Sequence, residues 1–340
     1  MTSLPEPDAW ASLAVTPSIA VVGLGGAGSE AVSDLLALGI PGVRAFAINT
    51  DANHLLRTGV EERILLAHRE LKGRGSGGDR DAVLRGAEEG REELLRRLRP
   101  FEIVFLLAGL GGGTGSALLP FLSRELRQTD ALPIPVAFLP FQVELDTNTA
   151  RRENVEATVA DLEGMGGFLL ALANEKLRRF ESLPIHRVFQ VRNAYVHSLV
   201  TSLVDMVENP SQISVDFASL KNHLRASDLS TLVVGEYHVS EPERLVQEAL
   251  SETLLDYRIA ERPSVLVHLD GGSNMTLGTL DRVLRALRHR LGEPERLVLG
   301  TRLRSEPSEV VRLTAVVGGL RPRTVREALR PKGPGPLVAP

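Results

Sequence analysis

The sequence predicts an α/β protein: a parallel sheet covered by helices on both faces, followed by a smaller α/β unit. Two observations support the parallel sheet. Short apolar runs alternate with segments of helical periodicity, and the runs are continuously apolar, as strands buried on both faces of a parallel sheet are. A third observation marks the second unit, because the pattern changes near residue 225 to more closely spaced strand-like runs.

The amino-terminal unit opens with a β-branched run that stops at Gly23 and predicts the first strand. Its predicted strands are Ile19–Val22, Val43–Ile48, Ile103–Ala108, Val136–Leu139 and Phe168–Ala173. Its predicted helices are Glu30–Leu38, Asp81–Arg97, Ala117–Arg127, Glu153–Leu162 and the long, apolar-rich Val191–Val207. In the second unit, strands are predicted at Leu232–Val234, Val265–Leu269, Arg296–Gly300 and Arg312–Val317, and helices at Glu241–Leu254 and Thr279–Arg290.

Composition excludes several classes of function. The formal net charge of −4 and a pI near 6.1 argue against a general nucleic-acid binder, which has a basic face. No apolar run approaches the ~18 residues of a membrane span, and residues 1–10 lack the basic start of a secretory signal. Cysteine is absent and the eight histidines are scattered, so no protein-built metal site is predicted. We therefore expect a cytoplasmic protein without nucleic-acid partners or membrane insertion.

Three glycine-rich loops carry the functional signal. Gly23–Glu30 follows the first strand and Gly109–Ser116 follows the third, and each leads into a helix. Glycine allows backbone N–H groups to approach phosphate, and a helix N-terminus adds positive potential. The first loop alone also fits a dinucleotide-binding fold. A second such loop, with the flexible Gly73–Asp79 between them, favours a polyphosphate held from two sides.

At these residues the sequence resembles the tubulin/FtsZ superfamily, most closely its FtsZ branch. Gly111–Ser116 (G-G-G-T-G-S) is similar to the superfamily's phosphate loop. Further motifs follow in family order at Asn49–Ala52, Gly73–Gly90, Pro140–Glu144, Asn174–Leu177, Phe189–Asn193, Val215–Ala218 and Val265–Gly272. The resemblance covers roughly residues 18–320. It implies a Rossmann-like GTPase domain that a long central helix joins to a smaller α/β domain.

The resemblance also implies domain limits and partners. It predicts a tail at 1–17, a nucleotide-binding GTPase domain at 18–192, a central helix with catalytic loop at 193–225, a carboxyl-terminal α/β domain at 226–320 and a second tail at 321–340. The ligand would be GTP or GDP, with Mg²⁺ arriving on the nucleotide. Head-to-tail assembly of identical subunits is expected, together with the filament partners of an FtsZ-type protein.

The phosphate-binding roles carried over by the resemblance fall on the three loops. The residues facing the phosphates would be Gly25, Gly26 and Gly28 in the first loop and Gly111, Gly112, Gly113, Thr114 and Gly115 in the main one. The residues closing over the γ-phosphate would be Gly75, Ser76 and Gly77. Asn49 and Asp51 would lie at the phosphates or their magnesium, although an aspartate at position 51 could instead be a helix cap.

The nucleoside-binding roles fall on five residues. Glu144 would bind the ribose hydroxyls, and Asn174 and Asn193 would read the guanine edge, because an amide offers a donor and an acceptor together. Phe189 would stack on the base, although a core aromatic gives the same pattern. Glu30 stands where the family has asparagine, and its carboxylate could accept from the guanine amino group.

The sequence departs from the family in the loop that completes the neighbouring subunit's site. Asp216 is kept, but Ser214 and Ser219 replace an asparagine and a second aspartate. Serine is a poor base, and losing one positioned general base typically costs about 10²–10⁴ in rate. Asn148 also aligns with the family's phosphate-contacting arginine, for which the neighbouring Arg151 or Arg152 could substitute.

Three functional hypotheses follow. The first is a self-assembling GTP-binding protein with slow hydrolysis that Asp216 of a neighbouring subunit completes in trans. The second is a GTP- or GDP-binding regulator or partner of a filament system that does not hydrolyse. The third, a dinucleotide-dependent enzyme, is disfavoured because the glycine loop is repeated.

Overall fold

The computed structural model describes residues 17–40, 42–208, 213, 215–255 and 259–320. The predicted tails at 1–17 and 321–340 lie outside these residues, apart from residue 17. The described strands are β1 (Ile19–Leu24), β2 (Val43–Asn49), β3 (Glu62–Leu65), β4 (Ile103–Gly109), β5 (Leu132–Leu139), β6 (Leu169–Ala173), β7 (Leu229–His238), β8 (Ile259–Gly271), β9 (Arg296–Leu303) and β10 (Val310–Leu320).

Helices connect these strands. They are α1 (Gly25–Leu38), α2 (Ala52–Arg57), α3 (His68–Leu71), α4 (Arg80–Glu89), α5 (Arg91–Leu98), α6 (Gly113–Arg127), α7 (Gln142–Thr147), α8 (Thr149–Met165), α9 (Ile185–Glu208), α10 (Phe217–Arg225), α11 (Pro242–Ser251) and α12 (Leu277–Leu291). A 3₁₀ helix spans Asn174–Phe180. Among the described helices, none combines the length and apolarity needed to cross a bilayer.

The strands form a single sheet in the order β3-β2-β1-β4-β5-β6-β7-β10-β8-β9. Pairing from β3 to the start of β7 is parallel, which confirms the predicted amino-terminal sheet. Strand β10 pairs antiparallel with β7 and with β8, whereas β8 and β9 are parallel, so the carboxyl-terminal part is mixed. The sheet is continuous because β7 contacts both β6 and β10.

Both faces of the sheet are buried, and β4 shows how one strand serves two cores. Val104, Leu106 and Ala108 pack into the core beneath α4, α5, α6 and α8. Ile103, Phe105 and Leu107 alternate with them and pack into the core beneath α1 and α9. This period-two division of an unbroken apolar run is the pattern from which the parallel sheet was predicted.

Three predicted helices of the amino-terminal unit differ from the structure in ways that bear on the glycine loops. The single helix predicted at 81–97 is two helices, α4 and α5, with Gly90 between them at φ −89° and ψ 3°. Helices α1 and α6 begin four to five residues earlier than predicted, directly at Gly25 and Gly113. This second difference matters for function, because it places glycine amides in the first turn of both helices.

Candidate functional site

The glycine loops after β1 and β4 pack against each other at the carboxyl edge of the sheet. The two strands are neighbours, with Leu24 opposite Ala108. A Cβ atom added to Gly25 would lie 3.1 Å from the backbone nitrogen of Gly115, and one added to Gly115 would lie 2.5 Å from the carbonyl oxygen of Gly109. Glycine at these two positions therefore lets the main chain of the loops and of α6 approach closely.

Helices α1 and α6 start from these loops with uncapped amino ends. Their N-cap residues are Leu24 and Gly112, whose side chains cannot accept a hydrogen bond. By contrast, the neighbouring α2 and α4 are capped by the carboxylates of Asp51 and Asp79. Two helix N-termini that converge without caps provide the amide donors and positive potential that a phosphate requires.

The main loop is held by its own hydroxyl groups. The buried Thr114 hydroxyl lies 2.8 Å from the hydroxyl of Thr50, in the turn after β2. The N–H of Gly111 donates to Ser116 Oγ at 2.9 Å, so this amide is already used within the loop. Gly111 adopts φ +97°, and a Cβ there would lie 2.5 Å from Cγ of Arg151. At Gly112 the space is open, since an added Cβ would meet no atom of the protein within 4 Å.

The third loop lies against the main loop. The N–H of Gly75 donates to Thr50 O at 3.1 Å, and a Cβ on Gly113 would lie 2.9 Å from Cβ of Ser76. Gly77, at φ +59°, faces open space. Asn154 of α8 donates to the carbonyl oxygens of Gly78 and Gly111, at 2.9 and 3.2 Å. Asn154 thereby ties both loops to one helix, and the sequence analysis did not single it out.

Asn49 and Asp51 shape the turn between β2 and α2. The buried Asn49 accepts from the N–H groups of Thr50 and Asp51 through Oδ1, at 2.8 and 3.3 Å. Asp51 is the N-cap of α2, with Oδ1 accepting from His54 N at 3.1 Å. The helix-cap role of Asp51 is thus present, and Oδ2 lies 3.7 Å from the position of a Cβ on Gly75, on the side of the third loop.

Glu144 and Arg151 form an ion pair beside the main loop. Glu144 Oε1 accepts from the N–H of Phe141 at 3.0 Å, and Oε2 lies 2.7 Å from Nη1 of Arg151. The stem of Arg151 crosses Gly111, whereas Arg152 turns to the carbonyl oxygen of Leu145. Of the two arginines predicted to replace the missing phosphate contact, Arg151 is the one whose side chain lies against the main loop.

The residues predicted to bind the base surround one buried arginine. Asn174 and Asn193 are buried, and their Oδ1 atoms accept from Arg192 at 3.3 and 3.0 Å. Phe189 is half-buried and its ring centroid lies 5.1 Å from Cζ of Arg192. Asn193 Nδ2 donates to Asp34 Oδ2 at 2.6 Å.

The sequence analysis did not identify Arg192 or Asp34 as residues of the site. The signal for Arg192 lies in the buried positions of α9, where it continues the apolar stripe of Val188, Val196 and Leu199. Glu30 lies one turn before Asp34, is exposed, and has Oε1 3.3 Å from Nε2 of His54.

Asp216 lies beyond the far end of α9 from these residues. From Asn193 to Glu208 the helix rises about 22 Å at 1.5 Å per residue. Asp216 is exposed and caps α10, accepting from the N–H and the hydroxyl of Ser219 at 2.8 and 2.6 Å. These hydrogen bonds, led by the hydroxyl, lower the pKa of Asp216. Ser214 lies outside the described residues.

The chain is similar to known proteins over most of its length. Residues 18–182 match the model of the Tubulin/FtsZ family GTPase domain, and residues 231–321 that of the FtsZ family C-terminal domain. The cell division protein FtsZ of Methanothermobacter thermautotrophicus is 30% identical over 305 residues, covering 89% of this chain and 79% of that protein. FtsZ 1 of Methanocaldococcus jannaschii is 31% identical over 312 residues, covering 90% and 84%.

Solved structures show the same fold. An FtsZ dimer from M. jannaschii superposes with a TM-score of 0.78 at 29% identity, covering 93% of each chain. A GTPγS-bound CetZ2 protofilament from Haloferax volcanii reaches 0.78 at 20% identity over 92% of this chain and 96% of that one, which is a likeness of fold. The chain belongs to the tubulin/FtsZ family and contains its GTPase domain, as a divergent FtsZ-like member.

Proposed function

We propose that this chain binds GTP or GDP at the glycine loops, assembles head-to-tail with copies of itself, and hydrolyses GTP slowly. The observation that supports nucleotide binding best is the pair of uncapped helix N-termini, α1 and α6, which begin at neighbouring glycine loops. The family's GTPase domain implies the guanine nucleotide. Mg²⁺ would come with the triphosphate, held mainly by its oxygens, with the free Oδ2 side of Asp51 toward it.

Assembly is proposed from the separation of the two parts of the site. Asp216 follows the far end of α9, so its carboxylate would act on the glycine loops of another subunit rather than on those of its own. In a head-to-tail pair, Asp216 of one subunit would face the loops of the next. Its carboxylate would orient the water whose oxygen bonds to the γ-phosphorus as the bond to the β–γ bridging oxygen breaks.

Slow turnover is proposed from the state of Asp216. Both of its oxygens accept hydrogen bonds from Ser219, and its pKa is lowered, which makes the carboxylate a weaker base. The same contacts support the second candidate, a GTP-binding filament partner that does not hydrolyse. The two candidates share the nucleotide site and differ only in whether Asp216 acts.

Phosphate release measured over a series of protein concentrations separates the candidates. Release that rises steeply with concentration, alongside sedimenting polymer, supports hydrolysis in trans. The Asp216→Ala variant should then lose about 10²–10⁴ in rate while keeping its affinity for GTP. The matched control is Asp281→Ala, which removes an exposed aspartate of α12 and should change neither. Bound GTP that stays intact at every concentration supports the second candidate, and failure to bind any guanine nucleotide overturns both.

A further inference from the structure

A buried guanidinium lies at the centre of the proposed base site. Arg192 is 3% exposed, and its Cζ lies 4.0 Å from the ring centroid of Phe138. Within the described part of the chain, no carboxylate lies within ion-pair distance of it. Burying a cation without a paired anion is costly, so its presence here needs a compensating arrangement.

That compensation is a set of hydrogen bonds in which Arg192 always donates and its partners always accept. A guanidinium has five donors and no acceptor, so every group that faces it must accept. Arg192 donates through Nη1 to Oδ1 of Asn174 at 3.3 Å, and through Nε and Nη2 to Oδ1 of Asn193 at 3.2 and 3.0 Å. Both amide oxygens are therefore turned to Arg192, and both NH₂ groups are turned away from it.

Asp34 fixes the second amide from its other side. A carboxylate can only accept, and Asp34 Oδ2 accepts from Nδ2 of Asn193 at 2.6 Å. Asp34 is only partly buried, so its remaining acceptor capacity is accessible. Arg192 and Asn193 thus link an amide donor on Asn174, which is turned away from the guanidinium, to a carboxylate acceptor on Asp34.

This donor and acceptor pair suits guanine and opposes adenine. The edge of guanine carries the acceptor O6 beside the donors N1–H and N2–H₂, whereas adenine has a donor at N6 and an acceptor at N1. A site that meets donor with donor leaves buried polar groups unpaired, which is the strongest basis for rejecting a ligand. Rotating the Asn174 amide by half a turn would replace its donor with an acceptor and remove the match to guanine O6, and the hydrogen bond from Arg192 opposes that rotation.

We propose that Arg192 and Asp34 set the base preference of this site, Arg192 as a positioning residue that fixes the two amides and Asp34 as an acceptor for the donor edge of guanine. This rests on the proposed function, because it requires a nucleotide at the glycine loops. Arg192 stays charged at neutral pH: burial lowers its pKa to about 10, while the nearby carboxylates of Glu30 and Asp34 act in the opposite direction.

Calorimetric titration of the full chain with GDP, IDP and ADP tests the proposal. The wild type should bind GDP most tightly, IDP, which lacks the N2 amino group, less tightly, and ADP weakly. Arg192→Met, similar in length but without donors, should lower the GDP:ADP affinity ratio about ten- to a hundredfold, the worth of a hydrogen bond to a charged group. Arg192→Lys should give an intermediate ratio, and Asp34→Asn should weaken GDP but not ADP.

The matched control is Arg187→Met, on the exposed face of the same helix, where the arginine contacts Gln190. It should leave the ratio unchanged. A purely structural role for Arg192 would weaken all three ligands together, so an unchanged ratio in Arg192→Met and Asp34→Asn overturns this inference alone. If Arg192→Met does not fold by circular dichroism, Arg192→Lys and Asp34→Asn decide. A wild type that does not prefer GDP to ADP overturns the inference and the guanine specificity in the proposed function.

Discussion

Two single-methyl substitutions in the main loop should separate folding from ligand binding. In Gly115→Ala the added Cβ would lie 2.5 Å from Gly109 O and 3.2 Å from Leu24 O, where ordinary contacts are 3.4–4 Å. Both atoms are main chain and cannot rotate away, so the first turn of α6 must move about 1 Å from the end of β4. Overpacking of this kind costs about 1–3 kcal/mol of the free energy of unfolding.

Gly112→Ala adds the same methyl group without that cost. Gly112 has φ −81° and ψ 170°, which any residue adopts, and the new Cβ meets no protein atom within 4 Å. The free energy of unfolding should stay within about 1 kcal/mol of wild type. The methyl group, however, occupies the open space in front of the first turn of α6. Losing one charge-assisted hydrogen bond from an amide to a phosphate should weaken GDP binding about 10- to 150-fold.

Thermal unfolding without nucleotide, followed by calorimetric titration with GDP, measures both quantities. Gly115→Ala should lower the melting temperature, and Gly112→Ala should lower only the affinity. The reasoning is refuted if Gly112→Ala binds GDP as the wild type does, because phosphate then does not lie at α6. It is also refuted if the two variants lose equal stability, because the packing distances then do not decide the outcome.

Three further outcomes are expected. Ser219→Ala removes the hydroxyl that donates to Asp216, and should raise both the pKa of Asp216 and the rate of phosphate release. An unchanged pKa and an unchanged rate would show that this hydrogen bond does not weaken the carboxylate as a base. Asp205→Ala removes the carboxylate that Arg302 contacts at 2.7 and 2.8 Å. The free energy of unfolding, measured in urea, should fall by about 1–3 kcal/mol. An unchanged value would show that solvent already replaces this ion pair. His223 is buried, and its pKa is lowered to about 4. The unfolded chain therefore protonates this histidine at a higher pH than the folded chain does, and the free energy of unfolding should fall by about 3 kcal/mol from pH 6.5 to 4. The His223→Leu variant should lose less stability over that range.

The sequence predicts the elements whose pattern is local and misses those that neighbouring strands impose. β4 is predicted from its own apolar run. β3 (E-R-I-L) has neither an apolar run nor strict alternation, and it is a strand because it pairs with β2 at the edge of the sheet. The predicted helix across Gly90 is interrupted where Gly90 leaves the α-helical region, at φ −89° and ψ 3°.

The candidate site likewise has parts that the local sequence predicts and parts that depend on contacts between distant residues. The glycine loops can be recognised because each is contiguous in sequence. The contact between Asp34 and Asn193 spans 159 residues, and no local pattern announces it. Arg192 is missed for a different reason, since a charged residue on a helix is ordinarily assigned to the solvent. Only its place in the buried stripe of α9 contradicts that assignment.

The residues proposed to act in the site lie near both ends of α9. The stability of the fold depends more on those near one end than on those near the other. At the nucleotide end, the glycines are also the residues that let α1 and α6 pack together, so substitutions there disturb the core. At the other end, Asp216 and Ser219 are exposed, and their mutual hydrogen bonds cap only α10. Residues in such a loop can change with little cost in stability. A chain can therefore keep the glycine loops while the loop proposed to complete hydrolysis diverges. We expect loss of nucleotide binding and loss of stability to coincide at the glycine loops, except at the open Gly112, but not at Asp216.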